Sequence, residues 1–231
     1  MAHDVEPFRA RYRAAINPRY NAWLHGGFVF GFGALCVWFF LRPLHDVLLQ
    51  EWLTVPLALV FFNWGEYSVH IHLGHHKHKL SALFYKRHTG DHHSFFVEDR
   101  MRYEQARDWR VILFPAWLIV IFSVLLAAPA YWAISQINTN VASLFSATLI
   151  AGYLGYEFFH SCEHLPPEHP LAQWPWIRHM RQLHRLHHRR ELMQERNFNI
   201  TFPLMDWLYG TLYRGSGAGK NSAGEKQDAP E

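Results

Sequence analysis

At 231 residues, half of them hydrophobic and 18% charged, the chain has the length of one domain and is too apolar for disorder along most of it. A formal net charge of +3 leaves no basic excess for nucleic acid, and two cysteines, Cys36 and Cys162, exclude a disulfide framework or a four-thiolate zinc site. Histidine stands apart: there are 18, and 15 of them fall in two windows, residues 70–93 and 160–188.

The start, MAHDVEPFRARYR, is too polar for a cleavable signal peptide, and no small-residue cleavage site follows it closely. Residues 20–41 are uncharged apart from neutral His25, and a second apolar run from Trp52 to Gly65 continues toward His72 with only Glu66 charged. Residues 111–156 contain no Asp, Glu, Lys or Arg in 46 positions, enough for two crossings of about 20 residues each. The polar cluster Gln136-Ile137-Asn138-Thr139-Asn140 marks the turn between them. Four spans are predicted, at about 20–41, 51–72, 110–135 and 141–163, forming two helical hairpins. The expected fold is all-α and integral to the membrane, with a cytoplasmic histidine-rich helical cap. A soluble all-α protein with buried helices is the alternative, and uncharged runs of this length argue against it.

Charge orients the spans. Of 22 Lys and Arg, four precede residue 20, eight lie in 73–110, nine follow 164, and only Arg42 sits near an outer turn. The positive-inside rule then places both termini in the cytoplasm, at a bacterial inner membrane, or at the endoplasmic reticulum in a eukaryote. Residues 1–214 read as a single membrane domain. The stretch 215–231 is small, polar and expected to be disordered. Its GSGAGK is no phosphate loop, because Arg214 replaces the first glycine and Asn221 the required Ser or Thr.

Four histidine clusters carry the chemistry. The first opens at Glu66-Tyr67-Ser68-Val69-His70 and continues to His75; the second is His88-Thr89-Gly90-Asp91-His92-His93; the third is His160-Ser161-Cys162-Glu163-His164; the fourth is His184-Arg185-Leu186-His187-His188. Residues three and four apart share a helix face. The spacing therefore predicts stacked pairs His88/His92 and His160/His164, and one stripe of His184, His187 and His188. His70 and His75 are five apart and fit a regular helix less well, so Gly74 is read as a helix end or bulge that turns His75 inward. One metal takes about three to five protein ligands, so these ten imidazoles point to two ions of the Zn, Cu, Fe or Ni type. The clusters follow spans 2 and 4 and can converge at one membrane face. Glu66 and Glu157, ionisable groups near span ends, are expected to accept from the far ring N–H of ligand histidines. Asp91 and Glu163, inside the clusters, are further candidates for that role.

Other histidines read differently. His3, His25 and His45 are ordinary surface or core residues. His72, His76 and His78 are either ligands or a solvated basic rim, and His169 and His179 are unplaced. Haem needs two histidines, not ten, and His-Glu-x-x-His, the zinc-protease motif, does not occur. A metal transporter competes, but transport sites lie near the bilayer midplane and these clusters lie past the helix ends.

These blocks resemble those of the fatty acid hydroxylase/sterol desaturase superfamily of membrane di-iron enzymes, over about residues 60–213. Glu66-Tyr67-x-x-His70-x4-His75 is similar to the opening motif, His88-x3-His92-His93 to the second, His160-x3-His164 to the third and His184-x2-His187-His188 to the fourth. NFNITFPLMDWLYGTLY (197–213) is similar to the closing signature and separates the chain from the carotenoid hydroxylases. Two departures bear on the substrate: Ile71 stands where arginine is frequent, and the second box has three intervening residues where fatty acyl hydroxylases usually have two. The resemblance implies two irons held by His70, His75, His88, His92, His93, His160, His164, His184, His187 and His188. Zinc is a replacement in the same nitrogen sites, because it binds them more tightly than Fe²⁺. It also implies O₂ as co-substrate and hydroxylation of a C–H bond in a membrane lipid: fatty acyl, sterol or isoprenoid. A desaturase with the same metals, or a non-enzymatic metal-binding or transport protein, are the alternatives. No cytochrome b5-like segment is present, so electrons are expected from a separate protein of cytochrome b5, ferredoxin or flavin type.

Overall fold

A computed structural model describes residues 4–79 and 81–215; the expectations for His3 and for a disordered tail fall outside them, apart from Gly215. Among the described residues the chain is all-helical, with one isolated bridge between Val97 and Arg100 and no strand. The longer helices are α1 (Val5–Ala15), α2 (Ala22–Leu41), α3 (Thr54–Val69), α4 (Trp117–Ser135), α5 (Thr139–Glu163) and α6 (Pro175–His187).

Three of these, α2, α4 and α5, are long and apolar enough to cross a membrane. Asn21 starts α2 by accepting from Leu24 N at 3.1 Å, and Asn138 starts α5 by accepting from Val141 N at 3.0 Å, each satisfying an N–H that has no partner within the helix. The second predicted span, 51–72, is not one long α-helix. It comprises a 3₁₀ turn (Leu49–Leu53), the 16-residue α3, and a π-helical turn from His70 to His75. The third, expected to start at 110, begins instead at Trp117. A short helix, Trp109–Ile112, precedes it, and Leu113 is extended. Pro115 explains the interruption, since proline biases the residue before it away from helix. Within α4 the turn Ser123–Ala127 is π-helical. It lies just before Pro129, which cannot donate to the helical ladder.

The central helix is α5, packed against α2, α3 and α4. Small residues permit this. A Cβ on Gly152 would stand 2.7 Å from the Phe62 ring, and one on Gly33 would stand 2.6 Å from Leu154, the close approach that small residues allow between membrane helices. At one end of the bundle Glu51 accepts from Asn138 Nδ2 at 2.7 Å and Asn140 Nδ2 at 2.9 Å, tying the two hairpin turns together. At the other end the π-helical turns, α1 and the amphipathic α6 close over the histidines.

Candidate metal centre

A π-helical turn brings residue i beneath i+5 rather than i+4. The turn His70–His75 therefore stacks two histidines whose spacing suits an α-helix poorly; their rings lie 5.1 Å apart at 26°. A second π-helical turn, Lys86–His92, leads into His93 and brings the rings of His88 and His93, also five apart, to 4.7 Å, edge to face at 78°. Gly74 is required by close approach: a Cβ there would stand 2.9 Å from His88 Cδ2 and 3.4 Å from His70 Cδ2.

All ten histidines of the four clusters are buried, and they sort into two groups. His70, His75, His88, His93 and His187 form the first; His92, His164, His184 and His188 form the second; within each, ring nitrogens lie within 4.8 Å of one another. His160 joins the second, its Nε2 3.2 Å from that of His92. The groups cut across the sequence clusters. His88 and His92 do stack, at 5.6 Å, yet they serve different groups, and His187 departs from the stripe it was expected to share with His184 and His188. The reason is geometric, because positions three, four and five residues apart leave a helix in different directions.

The nitrogens within each group face one another at 3.0 Å (His75–His187), 3.2 Å (His75–His88) and 3.1 Å (His88–His93), and at 3.2 Å (His92–His188) and 2.8 Å (His184–His188), all between Nε2 atoms. In six of the ten rings Nδ1 points outward to a carbonyl or hydroxyl. His92 bonds Val111 O at 3.0 Å, His164 Met101 O at 2.6 Å, His187 Arg196 O at 2.8 Å, His188 Phe96 O at 2.8 Å, and His70 Phe198 O. His75 Nδ1 bonds Thr89 Oγ1 at 3.2 Å, and that hydroxyl donates its own proton to Gly74 O. A carbonyl cannot donate, so each of these rings carries its proton on Nδ1 and presents a bare Nε2 lone pair inward. Two such lone pairs facing at about 3 Å need a cation between them. That separation is also the distance expected between neighbouring ligands of an ion about 2.1 Å from each nitrogen. The Nε2 atoms of His70 and His164 are buried with no hydrogen-bond partner, as ligand atoms would be. Burial first, with the neighbouring rings, holds His88, His92, His93, His164, His184 and His187 well below the ordinary histidine range. Burial takes His75 down to about 2 and His188 to about 3. The rings are thus neutral, the form that ligates.

The carboxylates divide. Glu163 Oε2 takes the Nδ1–H of His184 at 2.5 Å. Glu66 and Glu157, expected to do the same, hydrogen-bond to no histidine ring. Glu66 accepts from the backbone of Ile200 and Thr201 and from the Thr201 hydroxyl, and Glu157 accepts from Phe114 N at 3.2 Å. Both satisfy backbone N–H groups that irregular chain leaves free within the bundle, which is why a carboxylate is useful there. Asp91 is partly exposed and hydrogen-bonds to none of the ten. His72, His76 and His78 are exposed rim residues. His169 accepts from Leu171 N at 3.2 Å, His179 lies against Trp176, His25 is a core residue bonded to Tyr20 and Phe114, and His45 bonds Pro43 O.

The closing segment 197–213 acts as a brace. Asp206 accepts from Phe198 N, Asn199 N and Thr211 Oγ1, Asn199 accepts from Met205 N and Asp206 N, and Asn197 bonds Leu183 O and Tyr213. This fixes Phe198, whose carbonyl orients His70 and whose ring packs against His70, His75 and His187. Sequence reasoning missed the orienting atoms at Phe96, Met101, Val111, Arg196 and Phe198. They are backbone carbonyls, which no residue type marks; Thr89, beside His88, was the one legible signal.

A cavity of about 460 Å³ lies between α3, α4 and α5, walled by Phe61, Phe62, Phe122, Leu149 and Tyr153 among others and bounded by His70 and His88. Its surface is almost wholly apolar.

An all-helical, membrane-type bundle carrying two adjoining histidine groups is the class of protein these features define. The fatty acid hydroxylase family model matches residues 55–211, and the chain belongs to that family. A solved structure described as full-length Scs7p with only the hydroxylase domain visible has a similar fold, with a TM-score of 0.57, 19% identity, and coverage of 93% of this chain and 71% of that one. No curated protein sequence matches.

Proposed function

We propose that the chain is a membrane-bound di-iron oxygenase that hydroxylates a C–H bond of a lipid chain, using O₂ and electrons from a separate donor protein. The observation that carries this reading is the position of His70 and His88, which belong to a group of inward-facing Nε2 atoms and also bound an apolar cavity. Each group offers five neutral imidazoles once His160 is counted, one more than the four ligands of a closed structural zinc site. All-nitrogen ligation with room for a further ligand suits iron that binds O₂. Bound iron would supply O₂ activation and the oxidising power for C–H attack. The protein's part is to hold the ions through Nε2, fix seven of the ten rings through Nδ1, keep water from the cavity, and set a lipid carbon against the first group.

The same proposal places α2, α4 and α5 across the bilayer, and α3 with its flanking turns as a fourth crossing. The histidine end and both termini then face the cytoplasm of a bacterial inner membrane, or of the endoplasmic reticulum in a eukaryote. The test supplies heavy-isotope O₂ to cells expressing the chain, with His88→Ala as control, followed by lipid mass spectrometry. A labelled hydroxyl on a lipid chain, absent from the control, is expected. An unlabelled product lacking two hydrogens would make the enzyme a desaturase. No O₂-dependent product with any electron donor would overturn the reading in favour of a non-enzymatic metal-binding protein.

A further inference from the structure

We infer that Arg9, on the N-terminal helix α1, is a positioning residue for the second histidine group, acting through the loop that joins Phe95 to Glu104. Arg9 lies outside the residues matched by the family model, 55–211, and is 1% exposed. A buried guanidinium is costly unless its donors are bonded, and here each nitrogen is. Nε donates to Phe95 O at 2.9 Å, Nη2 to Arg100 O at 2.7 Å and Arg102 O at 3.2 Å, and Nη1 to Glu104 at 3.2 Å. Its Cζ sits 4.9 Å from the centre of the Phe95 ring. One planar side chain thus gathers three carbonyls of a single loop.

The loop's intervening carbonyls orient the histidines. Phe96 O, next to Phe95, takes the Nδ1–H of His188, and Met101 O, between Arg100 and Arg102, takes that of His164. Tyr103 N donates to His164 O at 3.0 Å, and the Phe96 ring lies 4.0 Å from the His164 ring. With Arg9 removed, three buried carbonyls lose their donor and the loop has reason to shift. His188 and His164 would then lose the alignment of Nε2. Three rings of the first group, His70, His75 and His187, are oriented elsewhere, by Phe198, Thr89 and Arg196. The effect should therefore fall on one group alone.

This inference rests on the proposal that both groups hold metal. The test is chelator titration of the full-length, detergent-purified chain loaded with Zn²⁺, with metal content measured by mass spectrometry. The unaltered chain should show two metals. In Arg9→Met, one class should weaken about 10–100-fold, the usual cost of losing an outer-shell partner, while the other is unchanged. Arg9→Lys should recover part of the loss, because an ammonium donates from one point and cannot span all three carbonyls. Thr89→Val should weaken the class that Arg9→Met spares. Equal weakening of both classes, or of neither, overturns the role of Arg9. If Arg9→Met fails to accumulate in membranes, Arg9→Lys decides by the same criterion: loss confined to one class supports the inference and loss shared by both overturns it. Absence of metal from the unaltered chain defeats the underlying proposal instead, and is recognisable as such.

Discussion

Glu163 and His184 meet at 2.5 Å between Oε2 and Nδ1, both fully buried, where the end of α5 faces α6. Of the four carboxylates with the spacing to orient a histidine, this is the one that does so. Oε2 of Glu163 takes the His184 Nδ1–H, which leaves Nε2 facing His188 at 2.8 Å.

Glu163→Ala is accordingly expected to lower metal affinity at the second group about 10–100-fold and to leave the first group loaded. Glu163→Gln, whose amide oxygen still accepts, should lose less. Metal content per chain after dialysis against a graded chelator series measures both. Equal retention in all three proteins would show that the contact does not tune the site.

Gly74→Ala should displace the His70 and His88 rings, since the new Cβ would stand 2.9 Å from one and 3.4 Å from the other. Overpacking of this kind costs about 1–3 kcal/mol, and the first group should lose metal as its rings move. Gly155→Ala is the control, because a Cβ there meets nothing within 4 Å. Thermal unfolding and metal content of the two variants should separate cleanly.

Acid should destabilise the metal-free chain. Burial pushes His75 down to about 2 and His188 down to about 3 in the folded state, while both titrate near about 6.5 when unfolded. Because the folded values are depressed, the unfolded chain binds protons that the folded chain refuses once the pH drops below about 6.5. Stability then falls by about 1.4 kcal/mol per pH unit for each such histidine, and above that pH these groups contribute no slope. Melting curves of the metal-free protein in detergent should be flat at alkaline pH and drop steadily from neutrality toward about pH 5. A melting temperature independent of pH over that range would contradict the buried, neutral rings.

Reporter fusions test the proposed crossing of α3. With four crossings, Asp46 and Asn138 lie outside and Arg102 inside, on the side of the basic residues. If α3 lies within the bundle without crossing, Arg102 and Asp46 report the same side.

The sequence alone determined the helical class, the apolar runs, the ten histidines and the family resemblance, because each follows from residue type and local spacing. A stretch of 46 residues without Asp, Glu, Lys or Arg cannot avoid apolar surroundings, and four histidine clusters in one order have few other uses. Grouping the histidines required the tertiary structure. Local spacing joins His88 to His92 and His184 to His187, whereas the folded chain parts each pair between two groups. The grouping depends on what packs beyond the local turns: Gly74 against His88 and Phe198 behind His70 at the π-helical turns, and Phe96 beside His164 at the end of α5. Glu66 and Glu157 followed the same rule. Their position near the histidines was legible, but their partners were backbone N–H groups at Ile200 and Phe114, freed by irregular chain that only long-range packing brings near. An orienting carbonyl belongs to every residue alike, so sequence cannot say which one will face an imidazole; the fold decides it by bringing residues about 90 positions apart, such as Phe96 and His188, into one contact.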